Sequence, residues 1–149
     1  MRTEATRVIY EAALKDRNII FITGDLGHSF AEKYQENIPD QYLNTGLAEQ
    51  NMIGVAAGLA LSGKKVFTFS ITPFAIMRCF EQIRVDVCYQ NLDVTIIGLG
   101  AGFAYSTSGC THYGTEDIAI IRSLPDMKIY APCHPIDARL LARTVLRIG

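Results

Sequence analysis

The feature that most constrains this chain is an alternation. Five short apolar runs, "NIIFIT" at 18–23, "QYLNTG" at 41–46, "KVFTFS" at 65–70, "DVTIIGLG" at 93–100 and "MKIYAP" at 127–132, are separated by stretches with helical spacing. The runs are brief, mostly rich in β-branched and aromatic residues, and bounded by turn formers, as buried strands are. The stretches between them predict helices over 3–16, within 27–39, over 47–61 and 74–90, around 116–123, and from Pro135 onward. Strands that alternate with helices have few ways to bury themselves. The expected solution is an α/β fold, three-layer and doubly wound, with a mostly parallel sheet and helices on both faces. Such sheets bind ligands beyond the carboxyl ends of their strands. That singles out five loops: Gly24–Ser29, Asn44–Glu49, Ser70–Phe74, Gly98–His112 and Ala131–His134.

A length of 149 residues suits one domain, and 49% hydrophobic residues supply its core. The formal net charge of -1, with no basic stripe, argues against nucleic acid as a partner. No apolar run approaches the roughly 20 residues that span a membrane. The opening "MRTEATRVIYEAALKD" is charged and amphipathic, unlike a secretory signal. The four cysteines, Cys79, Cys88, Cys110 and Cys133, form no C-x-x-C pair. The expectation is a cytoplasmic protein with reduced thiols and no membrane association.

Several glycine-rich or nucleophile-like stretches lead nowhere. "GLGAGF" follows a strand, but a dinucleotide fingerprint needs glycine where Phe103 stands. "GDLGHS" at 24–29 lacks the Lys-Ser/Thr ending of a phosphate loop. Cys110, His112, Cys133 and His134 match no zinc spacing, and Cys110 with His112 two residues away defines no nucleophile–base geometry.

Glu49 is the residue that asks for an explanation. With Gly46 as N-cap it would sit at N3, an ordinary place for a capping acid. The helix behind it is unusual. Gly54, Ala57, Gly58 and Leu61 share a face, with Ala56 and Ala60 nearby. Each interior glycine costs a helix about 1 kcal/mol against alanine. Such residues are expected where another helix approaches closely, inside the domain or across a subunit interface.

Four segments, in order and covering nearly the whole chain, carry a family resemblance. "GLAEQNMIGVAAGLALSGKKVFTFS" resembles the G-[VIL]-x-E-x-x-M-x-x-x-A-x-G-x-A segment of the transketolase superfamily. "SGCTHYGTEDIAIIRSLPDMKIYAPCHP" resembles its D-G-x-T-H-Q…RS-x-P segment, "FAIMRCFEQIR" its connecting helix, and "GDLGHS" the turn after its first strand. The chain is thus similar to the pyrimidine-binding domain of thiamine-diphosphate enzymes. The resemblance implies that Glu49 hydrogen-bonds N1′ of the cofactor's aminopyrimidine and favours its imino form, the base that activates the thiazolium. It further implies that Phe74 stacks on the pyrimidine, with Phe69 and Phe80 as flanking candidates, and that Asp25 lies near the cofactor. His112 would face the substrate, with His28 and Ser29 as further substrate contacts.

The sequence also departs from that family. Sugar transketolases carry Asp where Ser108 stands, His-Asp where Gly100-Ala101 stands, and Gln where Tyr113 stands. Another sugar or a ketoacid is therefore expected as substrate. The G-D-G…N segment that holds the diphosphate and its Mg2+ or Ca2+ is not found in 1–149. The diphosphate-binding and C-terminal domains are likewise expected elsewhere. The expectation is a split enzyme, silent as a single chain and active as a hetero-oligomer with a diphosphate-binding subunit, transferring a two-carbon ketol unit between sugar-type substrates. Alternatives left open are the β-subunit of a 2-oxoacid dehydrogenase, a deoxyxylulose-phosphate-synthase-like enzyme, and a non-catalytic interaction module that kept the fold.

Overall fold

A computed structural model describes residues 1–27 and 30–148. The chain runs α1 (Arg2–Ala13), β1 (Ile19–Thr23), α2 (Ala31–Asn37), β2 (Tyr42–Asn44), α3 (Glu49–Leu61), β3 (Lys65–Ile71), a wound segment over 73–88, β4 (Val94–Leu99), α5 (Asp117–Ile121) and α6 (Pro135–Val145). The strands form one parallel sheet in the order β2-β1-β3-β4.

The period of two along each strand assigns the faces. On β1, Ile20 and Ile22 join Met52, Ile53 and Ala56 of α3, with Cys79, Ile83 and Val87 of the wound segment. The intervening Ile19 and Phe21 pack with Val8, Ile9 and Tyr34, and with Phe67 and Phe69 of β3, under α1, α2 and α6. Both central strands are buried on both faces, which explains why they read as continuous apolar runs. The three-layer, doubly wound architecture is as expected.

Two expectations are corrected, and a third is narrowed. "MKIYAP" forms no strand: residues 127–132 are irregular, with Ile129 and Tyr130 exposed. Strand propensity is realised only where a neighbour supplies a ladder, and this segment pairs with nothing among the described residues. The 74–90 helix is not a regular α-helix. It is π-helical over Pro73–Met77 and Ile83–Cys88, joined through the single α-turn α4, Phe80–Gln82. The small-residue face of α3, expected to meet another helix inside the domain or across a subunit interface, divides within this chain. Ala56 and Ala57 enter the core, whereas Gly54 and Gly58 face open space and Leu61 is exposed. Within the described residues no second helix packs against those glycines.

Candidate active site

Helix α3 begins at Glu49 itself. Its N-cap is Ala48, with no side-chain cap, because Gly46 turns the chain at φ +71°. Glu49 is therefore at N1 rather than N3, and it does not cap. Its side chain turns inward and is 1% exposed. A carboxylate so placed needs partners. Ser70 Oγ, at the carboxyl end of β3, donates to Oε1 at 3.0 Å. Arg78 Nη1, from the wound segment, donates to Oε2 at 2.6 Å. The alternation of β3 dictates the first contact: Phe67 and Phe69 face the α1 side, so Val66, Thr68 and Ser70 face α3. Gly24, at the end of β1, makes room for it. A methyl group there would stand 3.2 Å from Glu49 Cγ and 3.3 Å from Oε1.

Around this acid the strand ends bring several aromatic rings together. Phe74 is half-buried at the start of the wound segment. The Arg78 guanidinium lies 4.4 Å from the centre of the Phe74 ring. His112 meets the same ring edge-on at 5.0 Å, and its Nδ1 is hydrogen-bonded to Thr111 Oγ1 at 2.9 Å. Tyr105 stands 6.4 Å from His112. Cys79 is buried next to Arg78 and donates its thiol to the Phe74 carbonyl at 3.1 Å. Burial, with the nearby Glu49 charge adding to it, pushes this thiol up to about 12. Cys79 is thus a neutral structural donor, not a nucleophile.

Asp25 lies on the exposed rim in the left-handed region, at φ +56°. A clasp holds it there. Its N–H donates to Asn44 Oδ1 at 3.1 Å, and Asn44 Nδ2 donates back to Asp25 Oδ1 at 3.0 Å. The same Asn44 Oδ1 accepts from the Gly46 N–H, so one amide ties the β1 loop to the turn that presents Glu49. Of the other expected site residues, Phe80 packs against the α3-side core. Phe69 is buried on the opposite face, against Phe21 and Phe30. His28 and Ser29 lie outside the described residues. His134 caps α6 through its Nδ1. No group of three or more His, Cys, Asp or Glu side chains converges as a metal site among the described residues.

The glycines of "GLGAGF" have local reasons. A side chain at Gly98 would press on Thr72, and one at Gly100 would overlap the Tyr105 ring. The site residues missed by sequence reasoning are Ser70, Arg78 and Gly24. Arg78 sits inside the "FAIMRCFEQIR" segment, which was a signal, but nothing local showed that it reaches Glu49.

The fold and the site define a class: a parallel α/β domain that presents a buried acid, an aromatic ring and a histidine beyond the carboxyl ends of its strands. The chain belongs to the family described as "Transketolase, pyrimidine binding domain", whose model matches residues 1–148. It is 36% identical over 146 residues to a subunit of the apulose-4-phosphate transketolase of Phocaeicola vulgatus, covering 97% of this chain and 47% of that protein. It is 38% identical to a putative transketolase C-terminal section of Methanocaldococcus jannaschii, covering 97% of this chain and 46% of that protein. Among solved structures, a split gene transketolase described as an inactive beta4 tetramer superposes with a TM-score of 0.84 at 32% identity, covering 98% of this chain and 47% of that one. The chain spans about half the length of the curated relatives it matches.

Proposed function

We propose that this chain is the pyrimidine-binding part of a thiamine-diphosphate-dependent, transketolase-type active site, completed by a partner subunit that holds the diphosphate and its Mg2+ or Ca2+. One observation carries the reading: in a chain of this family, Glu49 is buried at the carboxyl end of the sheet, and the arginine that pairs with it, Arg78, lies over the Phe74 ring. The partners of Glu49 are two side chains, a buried serine and a half-exposed arginine, so the acid can exchange one of them for a ligand.

The residues fit the cofactor's aminopyrimidine. Glu49 offers a carboxylate to a ring nitrogen, Phe74 offers a flat face, and Gly24 keeps the space beside the acid clear. When bound, thiamine diphosphate supplies the nucleophilic carbon and electron sink for moving a two-carbon ketol unit. Glu49 holds and returns a proton at the pyrimidine nitrogen. Ser70 fixes one carboxylate oxygen, and the other, which Arg78 holds in this structure, is the one that would make that contact. Thr111 orients His112 through Nδ1, leaving Nε2 for a substrate carbonyl or hydroxyl. Asp25 borders the cofactor on the rim, Phe80 backs the aromatic wall, and His28 and Ser29 contact substrate. The substrates are sugar-type. A relative named for apulose 4-phosphate supports an unusual sugar, as does the replacement of the customary acidic and histidine positions by Ser108 and Gly100-Ala101.

Reconstitution tests this. The chain is combined with a candidate partner bearing G-D-G…N, and ketol transfer is assayed for wild type and for Glu49→Gln. Activity that needs both chains and is lost with Glu49→Gln supports the reading. A Glu49→Ala variant that leaves the partner's activity intact would make this chain a non-catalytic module instead.

A further inference from the structure

Arg78 occupies both contacts that the proposed function gives to the aminopyrimidine. Its guanidinium is planar and cationic. One N–H donates to Glu49 Oε2 at 2.6 Å, while the group lies 4.4 Å from the Phe74 ring centre. A protonated aminopyrimidine would make the same pair of interactions: an N–H directed at the carboxylate and a flat face against the aromatic ring. The two ligands of Glu49 also differ in mobility. Ser70 is buried in a central strand, whereas the Arg78 side chain is 46% exposed and reaches in from solvent. Its backbone lies at the end of the π-helical turn Pro73–Met77, outside the regular helix.

We infer that Arg78 is a built-in stand-in for the aminopyrimidine: it neutralises Glu49 and covers Phe74 until the cofactor displaces it outward. The inference rests on the proposed function of Glu49 and Phe74. In this role Arg78 is a positioning residue that sets cofactor affinity, because the binding-competent form is the one with the guanidinium swung away. It also resolves a physical difficulty. A buried carboxylate without a partner is strongly destabilising, so the acid requires a surrogate cation whenever its ligand is elsewhere. Arginine suits the task because it is planar and stacks, which lysine cannot do.

The test uses the full chain and thiamine without its diphosphate, so that binding reports the aminopyrimidine and not a partner's metal. Calorimetry on wild type, Arg78→Gln, Arg78→Lys and Glu49→Gln gives the affinities. Removing a charge-assisted competitor is expected to tighten binding about tenfold in Arg78→Gln. Arg78→Lys should fall between the two, and Glu49→Gln should abolish binding. In wild type, the Arg78 Nε–H resonance should shift as thiamine saturates the site. Equal or weaker binding by both Arg78 variants, or an Arg78 resonance unmoved at saturation, overturns the stand-in and leaves the proposed function standing. Failure of every variant, wild type included, to bind thiamine also overturns the stand-in, whereas the proposed function is overturned only by the reconstitution assay. If Arg78→Gln does not fold, Arg78→Lys and the wild-type resonance decide.

Discussion

Two buried polar side chains, Gln41 and Glu49, lie near opposite ends of the sheet, and they are buried in different ways. The Gln41 amide, near the amino ends of β1 and β2, donates to three main-chain carbonyls, those of Ala13, Asp16 and Ile19, at 2.9–3.0 Å. Its partners belong to the backbone, carry no net charge, and fix α1 to the start of β1. Glu49 is charged, and both partners are side chains, one of them half in solvent. A group satisfied by backbone belongs to the fold, since nothing can exchange with it. A charged group satisfied by a movable side chain is ready to change partners. Burial of a polar residue therefore does not identify a site; the nature of its partners does.

The sharpest way to break this contrast is Glu49→Gln. With its partner subunit supplied, turnover should fall at least about 100-fold, as for a lost proton-transfer group. Thermal unfolding of the isolated chain should change little, because the glutamine amide oxygen still accepts from Arg78 and its NH2 donates to the Ser70 hydroxyl, which turns to accept. Near wild-type turnover would put Glu49 in the same category as Gln41. The converse substitution, Gln41→Ala, should cost about 2–3 kcal/mol in denaturant unfolding, since three inward carbonyls lose their donor. Thiamine affinity of the molecules that remain folded should be unchanged. A selective loss of affinity would contradict a purely structural Gln41.

Ser70→Ala sharpens the comparison on the acid's fixed side. Loss of one neutral hydrogen bond predicts a reduction in turnover of about five- to tenfold with little change in stability. Cys79 gives the smallest signal. Its folded thiol is pushed up to about 12 from an ordinary 9.0. A raised value favours the protonated thiol in the fold, so its contribution to stability is fully present below pH 9.0. That contribution declines as pH rises from 9.0 toward about 12, where the unfolded chain ionises first. Cys79→Ala should flatten that alkaline decline in unfolding free energy. At neutral pH, thiol reagents should label the exposed Cys110 and Cys133 and spare Cys79.

Much of this was legible from spacing alone. The alternation of apolar runs and helical stretches fixed the layer architecture, because each element must bury one face and few arrangements do so. The two-residue period of "IIFIT" and "KVFTF" already divided Ile20, Ile22 and Val66 from Phe21, Phe67 and Phe69. Spacing alone read Glu49 as an ordinary capping acid; the family resemblance of the segment around it is what implied a chemical role. Three things were settled only by tertiary structure. The start of α3 at Glu49, not at a cap three residues earlier, follows from the turn at Gly46 and sends the carboxylate inward. The failure of "MKIYAP" to form a strand follows from the lack of a ladder partner among the described residues, which propensity cannot foresee. The Glu49 contacts with Ser70 and Arg78 span 21 and 29 residues of sequence. Periodicity is a local quantity and records which way a side chain faces. What that side chain meets depends on where the sheet brings distant segments together, and at Glu49 that meeting produced the candidate site.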